Sequence, residues 1–302
     1  MIEIALHMAL LFLLPPLLLG VINKVKALFA GRVGPPLLQT YRDIWKLLRK
    51  GMVLSSATTW IFRAGPVITL AAVAIAGLLV PLGAFPAIAA FPGDFILFAY
   101  LFGLARFFTT SAALDTGSSF EGMGSAREAT FAVLSEPALF FAFLVLARIS
   151  GAISLTPMLD VPALGLSAGT TAPLVLIAIG LFVILLAETC RIPVDDPGTH
   201  LELTMIHEVM VLDHSGPLLG VIQYAASLKL FVLGALLLHV IAPFQTGLWC
   251  LDWPIFAAEM LALACAIGVV ESIMARLRMR RVPTLLVSAV LLCGSAFILL
   301  VR

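Results

Sequence analysis

Charged residues are scarce in this chain of 302 residues. Only 12% of them are Asp, Glu, Lys or Arg, whereas a soluble domain carries about 25%. The formal net charge is +1, so no strong overall field points to a nucleic acid as a partner. The 4 cysteines form no CxxC pair, so the sequence indicates neither a metal site nor a disulfide framework. Hydrophobic residues make up 62%, which favours lipid as the solvent.

Long apolar runs fill most of the sequence. A helix needs about 20 mainly apolar residues to cross a bilayer, and its backbone groups must bond within the segment. Eight stretches qualify: Glu3–Ile22, Gly65–Phe85, Asp94–Ala113, Thr130–Ser150, Ala172–Glu188, Leu218–Ala242, Pro254–Met274 and Pro283–Val301. The first lacks a basic residue ahead of it and a cleavage site after it, so it is interpreted as a retained span. We predict an all-α integral membrane protein with about eight transmembrane helices, forming a single domain over residues 1–302.

Basic residues alternate between the connecting segments. They concentrate after the first and seventh spans, at Lys24, Lys26, Arg32, Arg42, Lys46, Arg49 and Lys50, and at Arg276, Arg278, Arg280 and Arg281. The segments after the second, fourth and sixth spans contain almost none. By the positive-inside rule, the basic segments face the cytoplasm, so both termini are expected outside a bacterial or archaeal cytoplasmic membrane.

The stretch "PPLLQTYRDIWKLLRKG" predicts an interfacial amphipathic helix over residues 36–50. Its apolar residues fall on one broad helical face, and most of its charged residues lie opposite. It is too short and too charged to span a bilayer, so it is expected to lie along the cytoplasmic surface.

Acidic residues concentrate between the fifth and sixth spans. Six of the 17 Asp and Glu residues fall in "AETCRIPVDDPGTHLELTMIHEVMVLDHSG", and residues 189–217 are interpreted as an acidic cytoplasmic loop. Within it, "HLELTMIHEVMVL" predicts a helix capped by Thr199. His200 and His207 share one face but lack the second His of a zincin motif, so a metal site is disfavoured. A solvated acidic loop remains an alternative for the carboxylates.

Some ionisable residues lie within the predicted spans. Glu136 and Lys229 have several apolar residues on both sides, and such groups usually face a cavity or a partner. Carboxylates and lysines at this depth can change protonation near neutral pH, as a proton path requires. Arg106 and Glu271 are interpreted instead as helix-end charges that reach the interface.

Three motifs, in this order along the chain, resemble the family of the complex I membrane subunit that seats quinone, subunit 1 of NADH dehydrogenase. They are "GRVGPPLLQTYRDIWKLLRKG", "GSAREATFAVLSEPAL" and "ETCRIPVDDPGTHLELTMIHEVMVLDHSG". Within this family, "RIPVDDPGTHLELTMIHE" is more similar to the membrane subunit of formate hydrogenlyase and related energy-converting nickel–iron hydrogenases. Ala226 and Ser227 stand where the complex I subunit usually carries an acidic residue followed by an aromatic one, which argues against a quinone headgroup site.

The resemblance implies an anchor and proton-coupling subunit with no redox centre of its own. The nickel–iron and iron–sulfur centres would belong to partners: peripheral large and small hydrogenase subunits, an iron–sulfur subunit and an antiporter-like membrane subunit. The proton path is expected to include Glu136, Glu188, Asp195, Asp196, Glu202, Glu208 and Lys229. Structural or coupling roles are expected for Arg127, Glu128 and Arg191. Docking and a quinone-like pocket are expected to involve Arg32, Pro35, Asp43, Trp45 and Lys46.

Three alternatives remain open. The nearest is a quinone-site subunit of an NADH:quinone oxidoreductase, which the partner subunits would distinguish. A stand-alone secondary transporter predicts inverted repeats, and none is evident in the sequence. A purely structural anchor explains the apolar spans, but not the placement of Glu136 and Lys229 within them.

Overall fold

The computed structural model of the chain describes residues 2–160, 169–196, 205–242 and 246–301. Within them the chain forms eleven α-helices: α1 (Ile2–Leu13), α2 (Pro15–Phe29), α3 (Gln39–Leu48), α4 (Trp60–Leu79), α5 (Asp94–Asp115), α6 (Ser119–Ser150), α7 (Leu155–Met158), α8 (Thr171–Glu188), α9 (Gly216–Ile241), α10 (Trp249–Ile273) and α11 (Val282–Val301). Two 3₁₀ turns lie at Glu208–Val211 and Met279–Arg281.

The predicted fold class is confirmed. Among the described residues, seven helices are each long and apolar enough to cross a membrane, and α1 with α2 makes an eighth if the pair is counted as one span. The largest difference from the prediction is α6, which begins at Ser119 rather than Thr130. Its 32 residues extend over about 48 Å, more than the hydrocarbon core of about 30 Å. The additional turns carry charged residues, and a search for apolar runs therefore missed them.

The first span is broken. Helices α1 and α2 meet at an angle of 44° around Leu14, where the sequence continues with two prolines. Proline has no N–H group to donate to the carbonyl four residues earlier, and its ring clashes with the preceding turn. The unbroken span predicted over Glu3–Ile22 is therefore wrong at Pro15 and Pro16.

Helix α9 lies at the centre of the bundle. Of its most apolar 18-residue window, 78% is buried within the chain, against 22% for the window in Met279–Val301. It packs against α1, α2, α3, α4, α8 and α10. A helix that is apolar all round is stable only where every face is covered, and α9 meets that condition. The centre of the bundle therefore holds Lys229, the basic residue that α9 carries at membrane depth.

The segment between α8 and α9 folds back over the helix ends. Residues 197–204, which contain Glu202 and His200, lie outside the described residues. For residues 205–212 the predicted helix is wrong, because only the 3₁₀ turn Glu208–Val211 forms there. The amides of Ile206 and His207 bond instead to the carboxylate of Asp195, and the carbonyl of Met205 accepts from Arg127. Side chains thus replace the hydrogen bonds that a helix would supply.

Candidate functional site

The centre of the site is Arg106, near the middle of α5. Its guanidinium contacts three carboxylates: Nη2 lies 2.5 Å from Glu188 Oε1, Nε lies 3.4 Å from Glu128 Oε1, and Nη1 donates to Glu136. Only 9% of its side chain is exposed. The interpretation of Arg106 as a helix-end charge is therefore wrong, since the side chain bonds inward to α6 and α8.

Glu188, the last residue of α8, has two further partners. Lys229 Nζ donates to its Oε2 at 2.7 Å, and Ser135 Oγ donates to its Oε1 at 2.7 Å. Four helices, α5, α6, α8 and α9, therefore meet at one carboxylate. We call Arg106, Glu128, Glu136, Glu188 and Lys229 the intramembrane cluster.

The intramembrane cluster contains three carboxylates and two cations. An uncompensated charge away from water is costly, because little solvent is present to stabilise it. One bound proton would balance the cluster, and interacting groups of this kind share such a proton as a set. The arrangement can therefore bind and release a proton without large rearrangement, as a relay requires.

Cavities open on two sides of the cluster. One, of about 70 Å³, is lined by Arg106, Glu128, Glu188, Lys229 and by loop residues that include His214. The other, of about 230 Å³, lies between α5 and α6, where Gly103 and Leu139 face each other beside Glu136. Half of the Glu136 side chain (50%) is exposed. Arg106 and Glu188 line both cavities and therefore stand between them.

Two titratable groups at the loop end of the first cavity are held neutral. Burial lowers the pKa of His214, whose ring stacks on Phe62 with centroids 4.0 Å apart. Burial also raises the pKa of the Cys190 thiol well above its usual value, and the nearby charges of Glu128 and Asp195 add to the effect. Cys190 is therefore a protonated thiol at neutral pH, which suits neither a nucleophile nor a metal ligand.

A second set of charges holds the loop in place. Asp195, 1% exposed, pairs with Arg276 at 2.8 Å and accepts the amides of Ile206 and His207 at 3.0 and 3.2 Å. The chain beside it is also fixed, since the amide of Leu277 donates to the carbonyl of Pro193 at 2.9 Å.

A neighbouring ion triplet ties the loop to two spans. Glu271 lies 2.8 Å from Lys26 Nζ and 3.4 Å from Arg191 Nη1, and its side chain is fully buried. Glu271 is therefore not the interfacial helix-end charge that the sequence predicted. We call Asp195, Arg276, Glu271, Lys26 and Arg191 the loop clamp.

The loop also contacts α6 and the segment after α3. Gly124 lies against the 3₁₀ turn, where a Cβ atom would come within 3.0 Å of the Ile206 carbonyl oxygen. Ser215 Oγ accepts from the amide of Val53 at 3.2 Å. Gly216 has φ +54° and its Cβ position lies 2.5 Å from the Gly51 carbonyl oxygen, so only glycine fits there. The Ser-Gly pair therefore joins the start of α9 to the end of the α3 segment.

The face predicted for docking lies on the surface of the chain. Helix α3 buries Ile44 against its neighbours and leaves Trp45 58% exposed, with Leu48 also exposed. The residues Arg32, Pro35, Asp43 and Lys46 are exposed as well. None of these lines either cavity of the intramembrane cluster.

The structure separates the predicted proton-path residues into groups. Glu136, Glu188 and Lys229 come together, and Glu128, predicted to have a structural or coupling role, joins them. Asp195 and Arg191 belong to the loop clamp, whereas Asp196 and Glu208 lie elsewhere on the loop. Sequence reasoning missed Arg106 and Ser135 as members of the site. A signal was present, because Arg106 lies 12 residues into a predicted span of ordinary length.

Metal ligands do not converge in the part of the chain that the structure describes. Across its four ranges, no group of three or more His, Cys, Asp or Glu side chains is arranged to hold a metal ion. The described site is therefore a set of ion pairs beside cavities.

Comparison with known proteins places this geometry in a family. Residues 2–302 match the family described as NADH dehydrogenase. Hydrogenase-4 component C of Escherichia coli (strain K12) is 32% identical over 255 residues, covering 84% of this chain and 76% of that protein. Formate hydrogenlyase subunit 4 of the same strain is 31% identical over 279 residues, covering 90% of each. A membrane component of the NADH-quinone oxidoreductase of Polaromonas naphthalenivorans (strain CJ2) is 27% identical over 216 residues, or 68% of this chain and 60% of that protein.

A solved structure has the same fold. A chain of the membrane-bound sulfane sulfur reductase, an archaeal respiratory membrane complex, superposes with a TM-score of 0.84 over 99% of this chain and 100% of that one, at 19% identity. The family match and the two hydrogenase relatives confirm the resemblance that the three motifs carry. The chain belongs to the NADH dehydrogenase family, as a multi-pass membrane protein similar to membrane-associated hydrogenase subunits.

Proposed function

We propose that the chain is the membrane-anchor and proton-coupling subunit of a membrane-bound nickel–iron hydrogenase complex of the formate hydrogenlyase type. The observation that carries the proposal is the intramembrane cluster, in which three carboxylates and two cations from four helices stand between two cavities. The similarity to a hydrogenase-4 component and a formate hydrogenlyase subunit supports the choice of a hydrogenase.

The proton path of the proposal crosses the cluster. Protons reach the smaller cavity from the loop side, pass to Glu188 through its contact with Arg106 and Lys229, and leave at Glu136 toward the groove between α5 and α6. Asp195 is assigned to holding the loop, because its oxygens already bind Arg276 and two amides. The half-exposed Glu136 then faces a neighbouring membrane subunit of the antiporter type.

The partners of the proposal dock at α3 and the loop. Peripheral large and small hydrogenase subunits and an iron–sulfur subunit would carry the nickel–iron and iron–sulfur centres, and this chain would hold no redox centre. Trp45 and Leu48 supply the contact, since both are apolar, exposed and on the side of α3 turned away from the bundle. Apolar side chains on a surface helix of this kind favour a protein or membrane contact.

Replacing Trp45 and Leu48 together with Asp tests the docking. We expect the double variant to release hydrogenase activity into the soluble fraction, because two desolvated carboxylates oppose the contact. Ile153→Asp, at an exposed apolar residue after α6, is the matched control and should retain the enzyme on membranes. Full retention in the double variant would exclude α3 as the docking surface.

Orientation in the proposal follows the basic segments, with α3 and the loop in the cytoplasm and both termini outside. Cysteines introduced at Gly51 and Gly247, in a background without the native cysteines, should react with a membrane-impermeant maleimide from opposite sides. Reaction of both from the same side would overturn the arrangement.

Glu136→Gln tests the proton path. The amide keeps the volume and a hydrogen-bonding head group but carries no ionisable proton, so coupled turnover and proton translocation on membranes should fall. Glu136→Asp should be milder. Dye-linked activity of detached peripheral subunits should be unchanged, and blots should show normal subunit content.

Glu259→Gln is the control, because Glu259 lies within the α10 span but outside the cluster. Coupled turnover and proton translocation at the level of the native complex in an assembled Glu136→Gln variant would remove Glu136 from the path. A loss equal to that of Glu259→Gln would show a general effect of lost carboxylates.

A quinone-site subunit is the second candidate, and the first cavity favours it. Apolar side chains, among them Pro66, Val73 and Ile222, line that cavity beside His214. Its volume of about 70 Å³ is well below the roughly 300–1,000 Å³ of ordinary ligand pockets, which weighs against a quinone headgroup. Identification of the co-purifying subunits decides between the candidates, since a nickel-site large subunit belongs only to the first.

A further inference from the structure

The break in the first span leaves two backbone carbonyls without their helical donors. Pro16 has no N–H group for the carbonyl of Phe12, four residues earlier. The N–H group of Leu17 bonds to Leu14 at 3.0 Å rather than to Leu13. Buried carbonyls of this kind are nearly always satisfied by another group. At this bend the donors come from other parts of the chain.

Two tyrosines supply the missing donors. The hydroxyl of Tyr224 donates to the carbonyl of Phe12 at 2.8 Å, and the hydroxyl of Tyr41 donates to the carbonyl of Leu13. The two tyrosines are 183 residues apart in sequence and belong to different helices, yet they bond to adjacent carbonyls. The bend is therefore fixed by α3 and α9 together, and not by α1 and α2 alone.

Each tyrosine belongs to an element of the proposed function. Tyr41 lies on α3, four residues before Trp45 and thus on the helix that carries the docking face. Tyr224 lies on α9, five residues before Lys229, or about 7.5 Å along the helix axis. The two helices also touch directly, because a Cβ atom on Gly220 would lie 3.2 Å from Leu47 Cβ. A shift of α3 therefore changes the bend and α9 at once.

We propose that Tyr41 and Tyr224 are positioning residues that transmit the seating of a peripheral protein on α3, through the bend of span one, to the part of α9 that presents Lys229 to Glu188. The inference rests on the proposed docking at α3 and on the proposed role of the intramembrane cluster. It adds a mechanical connection between them. The hydroxyl groups make this connection, since the remainder of each tyrosine only packs.

Removal of each hydroxyl tests the connection in the assembled complex. Tyr41→Phe and Tyr224→Phe should each lower coupled turnover about two- to tenfold, the change in an equilibrium that corresponds to one net hydrogen bond. Subunit content and the dye-linked activity of detached hydrogenase should not change. The double variant should be no worse than the more affected single variant, because either change breaks the same connection.

Ser227→Ala is the matched control. Ser227 is buried on α9 beside Tyr224, and its hydroxyl bonds only to the Tyr224 carbonyl of its own helix. Its removal deletes a buried hydroxyl from the same helix without detaching another element. Coupled turnover equal to that of the native complex is expected for this variant.

A distance measurement separates a positioning role from a merely structural one. Spin labels at Ile4 and Phe29, both exposed and on opposite arms of the bend, report its angle over roughly 30 Å. In membranes stripped of peripheral subunits, adding back the purified hydrogenase should shift the distance distribution in the otherwise native chain. The shift should be absent in the double tyrosine variant, although the hydrogenase still binds.

The outcomes distinguish this inference from the proposed function. Unchanged coupling in the double tyrosine variant, with coupling lowered in Glu136→Gln, overturns the connection and leaves the proton path intact. Unchanged coupling in both overturns the proton path and this inference with it. A distance shift that persists in the double variant shows that the bend responds to docking without the hydroxyls, which also overturns the inference.

Discussion

The intramembrane cluster and the loop clamp use the same chemistry for different ends. Each joins several segments through ion pairs of buried or half-buried side chains. The cluster has more carboxylates than cations and borders two cavities, whereas the clamp pairs two carboxylates with three cations. Neither Asp195 nor Glu271 lines those cavities. Access and charge balance, rather than burial, separate a candidate proton relay from a structural joint.

The same contrast appears in how the carboxylates are bonded. Asp195 accepts from a guanidinium and two fixed amides, and a carboxylate so bonded has little reason to take up a proton. Glu136 contacts only Arg106 among the described ion pairs and hydrogen bonds, and half of it is exposed. A proton can reach Glu136 without breaking a set of backbone contacts.

The largest expected effect comes from Arg106→Leu. The change leaves Glu128, Glu136 and Glu188 with Lys229 as their remaining cation, and removing one partner of a buried pair costs about 3–5 kcal/mol. We expect the subunit to be nearly absent from membranes, as measured by blot. Arg148→Leu, at the end of α6, should accumulate normally. Normal accumulation of Arg106→Leu would show that the cluster is not needed for stability.

A smaller effect is expected from Asp195→Asn in the loop clamp. The amide keeps the shape but loses the charge that pairs with Arg276, and hydrogen bonds to charged groups contribute about 1.5–3 kcal/mol. Thermal inactivation of the solubilised complex should shift to lower temperature. Coupled turnover per assembled complex should equal that of the native protein. A specific loss of coupling at full stability would return Asp195 to the proton path and break the contrast between the two sets.

Apolar runs and loop charges were sufficient to predict the fold. Eight spans and α3 follow from hydropathy and amphipathicity, because lipid leaves a helix as the main solution for each run. Helix ends were less predictable, as the early start of α6 shows. The bend at Pro15 was readable from the sequence, but a run of apolar residues concealed it.

The site was only partly predictable. Glu136, Glu188 and Lys229 were found because a lone charge in an apolar run is costly. Their assembly around Arg106 was not, since contacts between residues 82 or 41 positions apart depend on how helices pack. The burial of Asp195 was also hidden, because a polar loop sequence does not reveal which carboxylate receives amides and an arginine. Pairing, unlike depth, is a tertiary property.

The smallest expected effect is a pH dependence at His214, which lies on the loop but faces the first cavity of the cluster. Burial lowers its pKa below the usual value of 6.5, so the folded chain resists protonation there while an unfolded chain accepts the proton. The stabilising contribution is therefore complete above about pH 6.5 and is lost as the pH falls through the folded-state pKa. His214→Gln removes this titration and keeps a polar side chain near the Phe62 carbonyl. Thermal inactivation of the solubilised complex should then lose less stability between about pH 7 and pH 5.5 than the native chain does, by a margin smaller than the Asp195→Asn effect. An identical loss in both proteins would mean that His214 does not titrate in this range, and that the cavity end of the loop is as insensitive to protons as the loop clamp.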